Sequence, residues 1–266
     1  MIKSRLREEL LHVNGLNLQI YSGGVGEAII VLHGISGNDG NCAYLEFLAE
    51  EYQVIAPSHP GFGKSELPLD YNCIDDLVYL YFDLFEQLNL DKIHLVGISL
   101  GGWIAAEIAI RSCERLASLT LIDALGIKAS DSTTADIKDI MVLPIDESLR
   151  LLYCDPKLAV EQIKPTAELD DELLIDVITS YQSITQLAWK PFLHNPKLKS
   201  WLRRITVPTQ VLWGEGDRIV SASYGKAFAD AIPNAQFEII PGAGHIPHLE
   251  QSDVLVNKLK AFFEKI

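Results

Sequence analysis

A single corner in the chain restricts its fold more than any other feature. The segment Lys92-Ile-His-Leu-Val-Gly-Ile-Ser-Leu-Gly-Gly-Trp103 runs an apolar, strand-type stretch straight into Gly97-Ile98-Ser99-Leu100-Gly101. The helix-forming run Trp103-Ile-Ala-Ala-Glu-Ile-Ala-Ile110 follows at once. A turn this tight between strand and helix holds the serine in a strained backbone conformation and leaves no room for bulk beside it. The hydroxyl then stands above the sheet, facing the positive end of the next helix. Five residues of G-x-S-x-G recur by chance, so the weight lies in the strand before and the helix after. Ser99 is therefore a candidate nucleophile.

The rest of the chain repeats that rhythm. Alternating runs Glu9–Val13 and Leu16–Tyr21 flank Asn14-Gly15, a hairpin signal. Ala28–Leu32 is a short, continuous apolar run of the kind buried on both faces of a sheet. A helix is expected from Tyr44 to Glu51, a strand over Gln53–Pro57, and a helix from Asp75 to Leu88 with Leu77, Leu80, Leu84 and Leu88 on one stripe. Strands follow at Leu119–Ile122, Thr209–Trp213 and Gln236–Ile240, with helices around Ser223–Ala231 and Asp253–Ile266. Strands alternating with helices predict an α/β fold with a mostly parallel eight-stranded sheet and right-handed crossovers. From about Leu125 to Arg203 the rhythm stops, and helices are predicted at Ser132–Met141, Asp146–Tyr153, Pro156–Gln162 and Asp170–Trp189. That stretch is too long for a loop. The expected organisation is a core of residues 1–124 and 204–266 with a helical cap, 125–203.

Composition removes several classes of function. The 266 residues carry a net charge of −14 and no basic stripe, which argues against nucleic acid. No apolar run is long enough to span a bilayer, and the charged N-terminal residues do not read as a signal peptide, so a cytoplasmic protein without membrane contact is expected. The four cysteines have no C-x-x-C spacing and read as free thiols. His245 and His248 form H-x-x-H without a third ligand at metal spacing, so no metal is expected, and no cofactor. The expected partner is a small-molecule substrate, acting on a monomer or homodimer.

A serine nucleophile needs a base, and the base needs a carboxylate to orient it. Val211-Leu-Trp-Gly-Glu-Gly-Asp217 and Ile239-Ile-Pro-Gly-Ala-Gly-His245 each run from a strand into a short loop. They would deliver Asp217 and His245 to the sheet edge where open α/β sheets bind ligands. Asp123, after the strand Leu119–Ile122, competes with Asp217 and is read as structural. His12, His94 and His59 are read as packing or structural residues.

These motifs resemble the α/β-hydrolase superfamily, in the branch with a helical cap after the sixth core strand. The likeness rests on His33-Gly34, on His59-Pro-Gly-Phe-Gly-Lys-Ser65, on the Ser99 corner, on Gly214-Glu-Gly-Asp217 and on Gly242-Ala-Gly-His245, in the order Ser, Asp, His. The resemblance implies catalytic roles for Ser99, Asp217 and His245, and an oxyanion hole made by the backbone N–H groups of Ile35 and Leu100. It assigns His33 to bracing the oxyanion loop, and gives His33, Gly34, Trp189 and Phe192 as candidate substrate-binding residues. The expected activity is hydrolysis of a carboxylic ester or lactone through an acyl-enzyme. The alternatives are carbon–carbon hydrolysis of the meta-cleavage-product type and a slow-turnover ligand receptor. Tyr153, Tyr181, Trp189, Phe192 and Trp201 in the insert point to an apolar substrate of small to medium size.

Overall fold

The computed structural model describes residues 5–38, 42–158 and 171–266. Strand β1 (Arg7–Val13) turns back onto β2 (Leu16–Gly23) through Asn14 and Gly15. Both turn residues have positive φ, 45° and 88°, as a type I′ hairpin requires. β3 (Ala28–Leu32) is buried at every position because it lies between β4 (Gln53–Pro57) and β5 (Ile93–Ile98), parallel to both. β6 (Leu116–Ile122), β7 (Thr209–Gly214) and β8 (Gln236–Ile240) extend the parallel set. The strand order is β1-β2-β4-β3-β5-β6-β7-β8, with β2 alone running against the other seven.

Helices cover both faces, so the core has two halves. One side packs α2 (Ile74–Gln87), α3 (Leu100–Arg111) and the helix Ala222–Ala231 over the sheet, with Leu77, Leu84, Ile104 and Phe228 fully enclosed. α3 is buried along almost its whole length, which is why its sequence shows little polar face. The opposite side is sealed by α1 (Ala43–Leu48) and the closing helix Ser252–Phe263, through Leu45, Leu48, Leu255 and Leu259.

Between β6 and β7 the chain holds α4 (Ile145–Leu152) and the helix Asp171–Ala188, close to expectation. Of the helix expected over Pro156–Gln162, residues 156–158 are helical and the remainder lies outside the described residues. The helix expected over Ser132–Met141 does not form. Asp131 instead accepts the backbone N–H groups of Thr133 and Thr134, and Asp136 accepts those of Ala129 and Ser130. These short side chains outcompete the helical ladder. Ile137 then pairs with Val220 as an isolated antiparallel bridge. Among the described residues, no helix is long and apolar enough to cross a membrane.

Candidate active site

Ser99 lies between β5 and α3 with φ 51° and ψ −113°, a conformation that costs a non-glycine residue on the order of 1–3 kcal/mol. The corner is over-determined around it. The Ser99 N–H donates to the Ile122 carbonyl at 2.9 Å, and the Ser99 carbonyl accepts the N–H groups of Leu125 and Trp103 at 3.0 and 3.2 Å. A Cβ on Gly97 would lie 2.4 Å from the Gly101 carbonyl oxygen, and one on Gly101 would lie 2.1 Å from that of Leu32. The two glycines are thus demanded by backbone packed on backbone.

The loops after β5, β7 and β8 converge. His245 Nε2 lies 2.8 Å from Ser99 Oγ, and His245 Nδ1 lies 2.8 Å from Asp217 Oδ2. A carboxylate only accepts, so Nδ1–H donates to Asp217 and Nε2 is left to accept the Ser99 hydroxyl proton. Asp217 Oδ1 takes the N–H groups of Ile219 and Val220 at 2.8 and 3.0 Å, which holds the carboxylate in place beside the imidazole. Ser99 and His245 are 3% and 2% exposed, so this chain of bonds is shielded from competing water. The carboxylate bonded to His245 is Asp217. Asp123 bonds elsewhere, its Oδ1 accepting the Gly214 N–H at 2.8 Å. Burial, then the nearby Asp217 charge, pushes the Asp123 carboxyl well above the usual carboxylate range. Asp123, Asp217 and His245 have ligand-type atoms within 4.8 Å of one another, but Asp217 and His245 bond to each other, to Ser99 and to the Ile219 and Val220 amides.

A second buried network braces the loop after β3. His33 Nδ1–H donates to the Gly34 carbonyl at 2.6 Å, and His33 Nε2 accepts the His59 N–H at 2.8 Å. His59 Nε2–H donates to the His33 carbonyl at 2.9 Å, and the Tyr81 hydroxyl donates to His59 Nδ1. Burial lowers His33 to about 4 and holds His59 well below the ordinary imidazole value, so both rings are neutral near pH 7. Gly34 passes so close that a Cβ there would sit 3.1 Å from Ser99 Cβ. His94, by contrast, is a packing residue, stacked on Phe263 and bonded to Ser118.

The cleft against Ser99 is lined by Gly34, Ile35, Leu152, His245 and His248 among others, and has a volume of about 10 Å³. Leu152 belongs to α4, so the insert reaches Ser99. Trp189 and Phe192 are not in that lining. They pack edge-to-face on each other, ring centres 5.3 Å apart, with Trp189 39% exposed.

Two contacts had no signal in the sequence. The His245 N–H donates to the Leu152 carbonyl at 2.7 Å. Glu250 ties the same two segments, its Oε2 accepting the Gly244 N–H at 2.6 Å and its Oε1 the Cys154 N–H at 2.8 Å. All three bonds use backbone groups, which leave no residue pattern to read.

The sequence profile of the alpha/beta hydrolase family matches residues 29–258. The chain belongs to that family. Among its relatives is a 2-hydroxy-6-oxo-6-phenylhexa-2,4-dienoate hydrolase of Burkholderia cepacia, 28% identical over 94% of this chain and 92% of the relative. Lipase 1 of Psychrobacter immobilis is 26% identical, over 89% of this hydrolase-family chain and 77% of the lipase. The fold is shared with the crystal structure of a meta-cleavage product hydrolase, with a TM-score of 0.80, 24% identity and 98% of each chain covered.

Proposed function

We propose that this member of the family is a serine hydrolase acting on a carboxylic ester or lactone. The observation that carries the reading is the continuous bond chain from Ser99 Oγ through His245 to Asp217. In the first step Ser99 Oγ adds to the carbonyl carbon while His245 Nε2 takes its proton, and Asp217 steadies the imidazolium. The tetrahedral oxyanion is held by two backbone N–H groups. One is that of Leu100, the first residue of α3 and so without an intrahelical acceptor, and the other is that of Ile35 in the cleft wall. Collapse expels the alcohol, which leaves with the proton from His245. Water, deprotonated by His245, then adds to the acyl-enzyme, and the carboxylic acid departs as Ser99 recovers its proton. Residues 125–203 act as a cap, with Leu152 closing the acyl side of the cleft.

Carbon–carbon hydrolysis is the second reading, favoured by the dienoate-hydrolase relative. Against it, no Arg or Lys is among the described residues lining the cleft to meet a substrate carboxylate. Steady-state assays should separate the two: sustained turnover of p-nitrophenyl esters with no consumption of 2-hydroxy-6-oxo-6-phenylhexa-2,4-dienoate supports the esterase. The reverse result would replace it, and no sustained turnover of either compound would favour the slow-turnover receptor.

A further inference from the structure

A buried polar atom beside the site has no partner among the described residues. Asp123 Oδ2 is enclosed and no described group donates to it, while Oδ1 has one donor, the Gly214 N–H. The ionisable groups facing Asp123 are Asp217 and His245, with Glu250 adding its charge from farther off. Two carboxylates sharing a dry site do not both stay ionised near neutral pH. Asp217 has three donors, His245 Nδ1–H and the N–H groups of Ile219 and Val220, so the charge settles there. The proton settles on the carboxyl with the fewest donors, and that is Asp123.

We propose that Asp123 is a positioning residue of this site: a neutral carboxylic acid whose O–H is donated to the Asp217 carboxylate and holds it against His245. The proposal rests on the Ser99–His245–Asp217 reading for its consequence in catalysis, but not for the protonation itself. The same conclusion follows from the upward push that burial and Asp217 exert on the Asp123 carboxyl. A neutral donor steadies the Asp217 anion without adding a second negative charge beside the imidazole. Asp217 therefore stays an acceptor while His245 gains and loses its proton. Asp123 has φ 44°, a left-handed conformation that Asp and Asn tolerate better than other side chains. An asparagine there keeps the backbone, accepts the Gly214 N–H and donates an amide N–H to Asp217, as the neutral acid does.

The test compares Asp123→Asn and Asp123→Ala in p-nitrophenyl acetate turnover from pH 5 to 9, with infrared spectra of the protein at neutral pH. Alanine should lower kcat by about tenfold or more and displace the acid limb of the profile, while asparagine should recover kcat to within about threefold of wild type. With asparagine the limb should move by less than about half a pH unit. An acid limb that drops by about one unit or more in Asp123→Asn would reveal a lost negative charge and overturn the neutral assignment. Alanine matching wild type, or asparagine as slow as alanine, would overturn the positioning role. The infrared arm compares Ser99→Ala with Ser99→Ala/Asp123→Asn: the C=O stretch of a neutral carboxyl should be present in the first and lost in the second. Its absence from the first would refute the proposal. That band needs no turnover, so a Ser99→Ala protein that still cleaves ester would remove the nucleophile reading and leave Asp123 separately decided.

Discussion

Ser99 holds a backbone conformation that nothing about a serine side chain favours, and its hydroxyl has no packing role (the corner is held by backbone bonds). Ser99→Ala should therefore leave far-UV and thermal unfolding near wild type while lowering ester turnover by roughly 10⁴-fold or more. Ester turnover by the alanine protein within tenfold of wild type would reject the nucleophile. Asp217→Asn should reduce kcat by a similar order, roughly 10⁴-fold, because an amide donor facing His245 Nδ1 selects the wrong tautomer. Stopped assays over a range of ester concentrations would show whether the loss falls on kcat, as expected, rather than on KM. Ser99, Asp217 and His245 were legible in the sequence because each sits at a strand end in a glycine frame. The Asp123 side chain was legible only as a rival to Asp217. Both acids end a strand, and what separates them is which carboxylate reaches His245, a matter of loop length in space. Glu250 was not legible at all, since its partners are the amides of Gly244 and Cys154.

At the scale of elements, β3 and β4 match their predicted bounds to the residue: β3 is apolar and buried throughout, and β4 is buried from Val54 to Pro57. The stretch Ser132–Met141 failed because its helical spacing was overruled by Asp131 and Asp136, which bind the backbone first. The loop after β3 makes a prediction about acid. His33 titrates near 6.5 in the unfolded chain and at about 4 in the folded one, so between those values the unfolded state binds more protons. Stability is then fully present above about pH 6.5 and falls as the pH drops towards 4, by about 3 kcal/mol from His33 alone. His59 adds to the same slope. Urea midpoints measured from pH 7 to 4 should show this decline, and His33→Gln should flatten it. Glu250 gives a second prediction. Glu250→Gln weakens one of two acceptors gripping the His245 loop and should lower kcat roughly tenfold, with little change in the urea midpoint, since the bonds are local. An equal loss in both would mean Glu250 serves the fold rather than the site.

For the molecule as a whole, the sheet and its two helical layers followed from the alternation of strands and helices, whereas the shape of the substrate space did not. The aromatic residues of the insert do not line the cleft against Ser99, and Leu152 does. A cleft of about 10 Å³ has room for about one water, so on the proposed reading the insert would have to shift to admit an acyl chain. Across p-nitrophenyl esters from acetate upward, kcat/KM should rise to a short- or medium-chain optimum, each methylene contributing up to about 0.8 kcal/mol until the space is filled. A flat or steadily falling series would show that no apolar acyl pocket opens. A dianionic substrate should be poor, given the net charge of −14.

The bond from His245 N–H to the Leu152 carbonyl has a consequence for anyone rebuilding this protein. The bridge of Gly126 with His194, and the Asn195 N–H donated to the Gly126 carbonyl, bring the two ends of the intervening stretch together, so by topology that stretch could be exchanged as a module at small entropic cost. Its segment from Leu152 to Cys154, however, supplies an acceptor to His245 and a donor to Glu250. A transplanted insert from another hydrolase would arrive with its own preference for substrate but without those two groups in place. The insert and the seat of His245 are thus inherited together, and a graft that spares residues 152–154 is the one that should come out of the exchange still working.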